Sequence, residues 1–244
     1  MVFSGLLIFV TMKFKNVKYI LTDIEGTTTS VKFVYEELFP YFLKNITQLE
    51  SFTSNVQVQE AFKATVHLAN KLENNRLKST TEIIATLKRW CEEDKKITPL
   101  KTVQGIIWKE GYESGAIKGH VYPDVEKSLK DWESKNIKMG VFSSGSVEAQ
   151  KLLFGFSLAG DLTSYFENYF DTTTGVKREK DTYLKISERL KLEPKSILFL
   201  SDISEELEAA QEIGMETCQL VRPGTEKSWY NSVTSFDEIT FEEI

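Results

Sequence analysis

Two acids and a run of hydroxyls stand together in Asp23-Ile24-Glu25-Gly26-Thr27-Thr28-Thr29. Acids two positions apart project to one side of an extended chain, and the glycine after them permits a tight turn. A second cluster is Ser143-Ser144-Gly145-Ser146, and a third is Ser201-Asp202 with Glu205 and Glu206 just beyond. These groups suit phosphoryl transfer. A carboxylate is a competent nucleophile toward phosphorus, and Mg²⁺ on oxygen ligands screens the approach of one anion to another. Hydroxyls and helix N-terminal amides can bind the remaining phosphate oxygens, and a lysine adds a point charge. Phosphate monoesters need accelerations up to about 10²¹, well over about 20 kcal/mol, so the groups must act together. Singly, each has a plainer use. Asp and Thr at a strand end cap helices, residues 143–146 can form a cap and turn, and acids after Asp202 favour a helix N-terminus. It is their joint placement that favours chemistry.

The placement follows from the elements before them. Short apolar runs occur at residues 17–21 (VKYIL), 138–142 (KMGVF), 168–170 (NYF), 196–200 (SILFL) and 217–221 (TCQLV). Amphipathic stretches at 124–135, 147–153, 181–190 and 205–213 have helical spacing. Buried strands alternating with helices predict an α/β fold, a Rossmann-like core whose parallel sheet is flanked by helices. In such a sheet ligands bind at the carboxyl ends of the strands, where three of the runs give way to the clusters above. Residues from about 30 to 118 have another texture. Ser79 and Glu82 make a capping box ahead of Ile83, Ile84, Leu87, Trp90 and Cys91; Thr98-Pro99 offers an N-cap and first-turn proline; Val58, Phe62 and Val66 mark a further helix. The stretch reads as a helical cap inserted after the first strand. Phe33, Tyr35 and Trp108 read as core or pocket lining.

At these residues the chain resembles the haloacid-dehalogenase-like superfamily of aspartate-nucleophile phosphatases, and within it the enolase-phosphatase family of methionine salvage. The resemblance rests on TDIEGTTTS (22–30), FSSGSVEAQKLLFG (142–155), FDTTTGVK (170–177) and ILFLSDI (197–203), with LFPY (38–41) and VRPG (221–224). It implies Asp23 as nucleophile and Mg²⁺ ligand, Glu25 as a second acid serving the metal site and proton transfer, and Asp202 as a further metal ligand with Glu206 behind it. Ser143 and Ser144 would hold the phosphate. Lys177 would be the phosphate lysine, with Lys180 the alternative. One Mg²⁺ per subunit is expected. The implied reaction enolises 2,3-diketo-5-methylthiopentyl-1-phosphate and then removes its phosphate. The division implied is a leader at 1–16, a core at 17–30 and 119–244, and a cap at 31–118. A phosphatase for another small ester, or a non-catalytic protein on the same fold, are the alternatives.

Composition narrows the classes further. The 244 residues carry a formal charge of −6, which disfavours nucleic acid or anionic membrane as partners. Two cysteines, Cys91 and Cys218, and two histidines, His67 and His120, exclude a disulfide framework and a histidine-rich zinc site. Hydrolytic chemistry must therefore run on carboxylates, hydroxyls and lysines. The apolar stretch at residues 2–10 has no preceding charge and falls short of the roughly 20 residues a membrane span needs. It reads as a leader ahead of Met12. A monomeric, cytoplasmic protein, with the nucleus a further possible site, acting on a small phosphorylated diketone is the expectation.

Overall fold

The structure, a computed structural model, describes residues 11–242, so the apolar stretch at 2–10 lies outside the described residues. Among the described residues eight strands occur: β1 (Met12–Phe14), β2 (Tyr19–Thr22), β3 (Lys138–Phe142), β4 (Asn168–Phe170), β5 (Ile197–Ser201), β6 (Glu216–Leu220), β7 (Ser232–Val233) and β8 (Ile239–Phe241). The described residues also form nine α-helices: α1 (Val31–Phe33), α2 (Phe39–Asn45), α3 (Val56–Glu73), α4 (Thr80–Glu92), α5 (Thr98–Glu113), α6 (Pro123–Ser134), α7 (Val147–Gly155), α8 (Lys180–Leu190) and α9 (Ser204–Glu212). A π-helical turn, Val34–Leu38, joins α1 to α2. Among the described residues no helix is long and apolar enough to cross a membrane.

The chain gathers into two compact units. One contains the stretch ending at Ser30, Val121–Ser144, and the stretch beginning at Asp161; the other contains Val31–His120 and Gly145–Gly160. In the first, six strands form a parallel sheet in the order β4-β3-β2-β5-β6-β7. The strands are short and apolar because both faces are covered. Tyr19, Leu21, Ile197 and Phe199 share a cluster with Tyr183 and Ile186 of α8 and Leu207 of α9. The alternate residues Ile20, Leu198 and Leu200 are equally buried and point to the opposite face, where α6 packs against β3. The predicted strand bounds hold to within two residues, and those of β3 and β4 hold outright.

Met12, Lys13 and Phe14, expected within a leader, instead pair in parallel with Ile239, Thr240 and Phe241. Phe14 is buried there. Apolar burial at both ends of the chain draws this short ladder together, a pairing that local periodicity cannot signal.

The helical unit has its own core, in which Trp90 and Leu87 of α4, Val103 and Ile107 of α5, and Val58 of α3 are all buried. Trp108 packs against it and donates its indole N–H to the Leu38 carbonyl at 2.9 Å. Phe33 is buried, whereas Tyr35 is half exposed. The capping box at Ser79 and Glu82 forms in both directions. Thr98, expected as an N-cap, is instead the first helical residue of α5, after Ile97. The stretch 145–160, kept with the α/β part in the sequence division, groups with the helices. The Gly119 N–H donates to the Phe156 carbonyl at 2.8 Å, and the Tyr112 and Phe156 rings lie 5.9 Å apart.

Candidate active site

Parallel register brings three strand ends together. Thr22 stands opposite Val141 of β3 and Leu200 of β5, so Asp23, Ser143 and Asp202 follow the carboxyl ends of three adjacent strands. The Asp23 N–H donates to the Leu200 carbonyl at 2.8 Å, and the Ser143 N–H donates to the Phe170 carbonyl at 3.2 Å. These bonds extend the ladders by one residue.

Beyond Asp23 the chain does not stay extended. The Ile24 carbonyl accepts from the N–H groups of Thr27, Thr28 and Thr29 at 3.2, 2.9 and 2.9 Å, and the Gly26 N–H donates to the Thr29 carbonyl at 2.8 Å. Gly26 has φ +75°, and a Cβ there would lie 2.3 Å from Asp202 Oδ2. Glycine is thus required twice, for the left-handed backbone and for the close approach of Asp202. Because of this turn, Asp23 and Glu25 do not lie along one side of an extended strand. Asp23 is 6% exposed, while Glu25 is exposed.

Lys177 reaches the same place from the loop between β4 and α8. Its Nζ lies 2.7 Å from Asp23 Oδ1 and 2.7 Å from Glu206 Oε2, with only 7% of the side chain exposed. The Tyr183 hydroxyl on α8 donates to the Lys177 carbonyl at 2.6 Å, tying the loop to the helix. Burial opposes the lysine's charge, but Asp23 and Glu206 outweigh that and hold its pKa above the usual range. Lys180 is elsewhere: it is exposed, 3.4 Å from Glu212. Glu205 is exposed too, 3.9 Å from Arg178. The geometry therefore brings Lys177, not Lys180, to Asp23, and Glu206, not Glu205, to Lys177.

The remaining acids are crowded. Burial, reinforced by the Asp23 charge, pushes the Asp202 carboxyl up to about 7. Burial and Asp23 also raise Glu206, although Lys177 and the Ser201 hydroxyl, 2.9 Å away, favour its charged form. Asp202 Oδ1 is buried without a hydrogen-bond partner. A buried acceptor in that condition costs about 1–3 kcal/mol unless something else satisfies it. Among the described residues no three His, Cys, Asp or Glu side chains stand close enough to make a metal cage. Magnesium does not need one, since it binds through one or two carboxylates, with waters and substrate phosphate completing its shell. The hard oxygen donors and the orphaned Asp202 oxygen fit that ion. Ser143 is buried and Ser144 exposed, both directly after β3.

Residues 17–214 match the family model "Hydrolase: haloacid dehalogenase-like hydrolase". "Enolase-phosphatase E1" of Picosynechococcus sp. is 48% identical over 225 residues, spanning 92% of this chain and 98% of that one. The chain belongs to the enolase-phosphatase E1 family of haloacid dehalogenase-like hydrolases. Another member of the family, from Alcanivorax borkumensis, is 50% identical over 204 residues, covering 83% of this chain and 88% of its own. The crystal structure of UTR4 protein from Saccharomyces cerevisiae superposes with a TM-score of 0.76 at 33% identity, over 91% of this chain and 99% of that one. Of the motifs that carried the resemblance, those at 22–30, 38–41, 142–155, 170–177 and 197–203 fall inside the matched span, and VRPG at 221–224 lies beyond it.

Several residues around the family's motifs escape sequence reasoning. Buried Arg222 makes a bidentate pair with Asp124 of α6 at 3.0 and 2.8 Å. Gln219, fully buried on β6, donates to the Asp202 carbonyl at 2.9 Å and accepts from the N–H of Ser228 and of Trp229. Arg222 stands in VRPG, and that motif alone hints at it; Asp124 reads only as a helix-starting acid, and nothing in the sequence links the two.

Proposed function

We propose that this chain is a magnesium-dependent enolase-phosphatase that converts 2,3-diketo-5-methylthiopentyl-1-phosphate to 1,2-dihydroxy-3-keto-5-methylthiopentene and inorganic phosphate. The observation that carries the reading is the Lys177 ammonium 2.7 Å from Asp23 Oδ1, in the same unit as the orphaned Asp202 oxygen. Asp23 is the nucleophile. The diketone enolises first, a proton leaving C1 for a base and the C2 oxygen gaining one; the Asp23 carboxylate oxygen then attacks phosphorus, the ester P–O bond breaks, and the departing enol oxygen acquires a proton. Water then attacks the aspartyl phosphate and regenerates Asp23.

Lys177 neutralises the transferring phosphoryl oxygens and the enolate oxygen that precedes them. Glu206, on the other side of the ammonium, holds Lys177 charged and aimed. Ser143 and Ser144 donate hydroxyls to the phosphate. Glu25, exposed beside the nucleophile, belongs with the metal site and proton transfer. Asp23 and Asp202, with Glu25, would hold one Mg²⁺ per subunit. When bound, that ion screens the two anions and polarises the phosphoryl group. The protein works as a cytoplasmic monomer on this small molecule, without nucleic acid or membrane.

The test combines the purified protein with the diketo phosphate and Mg²⁺ and follows phosphate release together with the ultraviolet absorbance of the conjugated enol. Both signals should rise, and EDTA should stop both. Release of phosphate from common sugar phosphates, with the diketone ignored, would leave the nucleophile standing and sink the substrate.

A further inference from the structure

The structure assigns Arg222 a role as the positioning residue of the nucleophile turn, an inference that rests on Asp23 being the nucleophile. Arg222 anchors the turn 23–29 from just beyond the end of β6. Its Nε donates to the Thr27 carbonyl at 3.0 Å. Its two terminal nitrogens grip Asp124 at 3.0 and 2.8 Å, and one also donates to the Thr234 carbonyl at 3.1 Å. The guanidinium carbon lies 4.2 Å from the centre of the Tyr122 ring and 5.2 Å from that of Phe236. Only 5% of Arg222 is exposed.

Asp124 is fixed in turn, because the Phe236 N–H donates to its Oδ2 at 2.6 Å. The neighbouring Tyr122 N–H donates to the Thr28 carbonyl at 3.0 Å. Two successive carbonyls of the turn are thus held by residues at the start of α6 and by the arginine clamped to it. From there the connection to Asp23 is short: the Thr28 hydroxyl donates to the carbonyls of Ile24 and Asp23, at 3.2 and 3.4 Å. Thr27, Thr28 and Thr29 are fully buried, so the turn can shift only by breaking these bonds.

A planar fork suits this task and an ammonium does not. Four directed hydrogen bonds, two of them parallel on one carboxylate, fix orientation as well as distance. Lysine would keep the charge and lose the fork. Arg222 therefore acts through Thr27 and Thr28 on where the Asp23 carboxylate points, without touching the reacting atoms itself.

The experiment compares wild-type protein and Arg222→Lys, both with Mg²⁺ and the diketo phosphate, measuring kcat, KM and amide hydrogen exchange peptide by peptide. An error of about 1 Å in the nucleophile costs roughly 100-fold in rate, so kcat should fall by about that factor with KM unchanged. Exchange should quicken in peptides covering residues 22–30 and stay as in wild type across β5 and α9. Wild-type kcat in the folded variant, or activity lost only in proportion to the folded fraction, overturns the assignment. Asp124→Asn, which retains one acceptor for the fork, serves if Arg222→Lys does not fold; an unchanged kcat there is equally fatal. An inert wild-type protein sinks the functional reading and the positioning role together. An active wild type beside an unaffected variant sinks the positioning role alone.

Discussion

Asp202 sits in the site at an energetic cost to the fold, half-buried with one oxygen unpartnered. A cation bound there would offset that cost. Asp202→Asn should abolish Mg²⁺-dependent phosphate release while leaving the protein folded, measured by turnover across a Mg²⁺ titration alongside circular dichroism. Mg²⁺ should raise the thermal midpoint of wild type and not that of the variant, since a ligand that binds the native state stabilises it. Turnover near wild type would end the metal assignment. Gly26 makes a second test. Gly26→Ala places a methyl 2.3 Å from Asp202 Oδ2 at φ +75°. The left-handed backbone alone costs about 1–3 kcal/mol, and the displaced carboxylate should raise the Mg²⁺ concentration needed for half-maximal turnover. Urea unfolding and the same titration read the two effects separately.

At the scale of elements, the strands and their ends are the legible part. Short apolar runs that turn abruptly polar mark β2, β3 and β5, and Asp23, Ser143 and Asp202 stand where those runs stop. Other features depend on tertiary distance. Lys177 and Lys180 are three residues apart in one loop-to-helix stretch, and only the approach to Asp23 separates them. The pairing of β1 with β8 joins opposite ends of the chain, and the pair Arg222–Asp124 joins a loop to a helix start. No local pattern encodes either. The helical unit offers a test of element-level electrostatics. Glu73 at the end of α3 accepts from Arg89, from Lys95 at 2.9 Å and from the Trp90 indole at 2.7 Å. Hydrogen bonds from Arg89, Lys95 and Trp90 pull its carboxyl down from about 4.5 to about 2. A depressed acid stabilises the fold above its unfolded pKa, and that contribution fades as pH falls from about 4.5 through 2. Glu73→Gln should therefore cost about 1 kcal/mol at pH 7, the partly exposed partners limiting the effect. The difference in urea midpoint from wild type should shrink at pH 3. A constant difference at both pH values would show that packing, not charge, is responsible.

For the whole molecule, connectivity matters as much as contact. The α/β unit is assembled from three separated stretches of chain, whereas most of the helical unit is the single stretch Val31–His120. Contacts distant in sequence form slowly because loop closure must come first. In refolding followed by pulsed hydrogen exchange, amides of α3 and α5 should gain protection before those of β2. The reverse order would mean that the sheet nucleates the protein. The same wiring bears on how the polypeptide is made. β2 leaves the ribosome early, yet Tyr19 has its two partners in Lys138 and Ile197, both synthesised much later. Its apolar YILT strand stays an open edge through most of translation, the condition that invites aggregation and chaperone capture. A translational pause before Ser201 has emerged from the ribosome prolongs that exposure, whereas a pause after it has emerged falls on a chain whose central strand can pair on both sides.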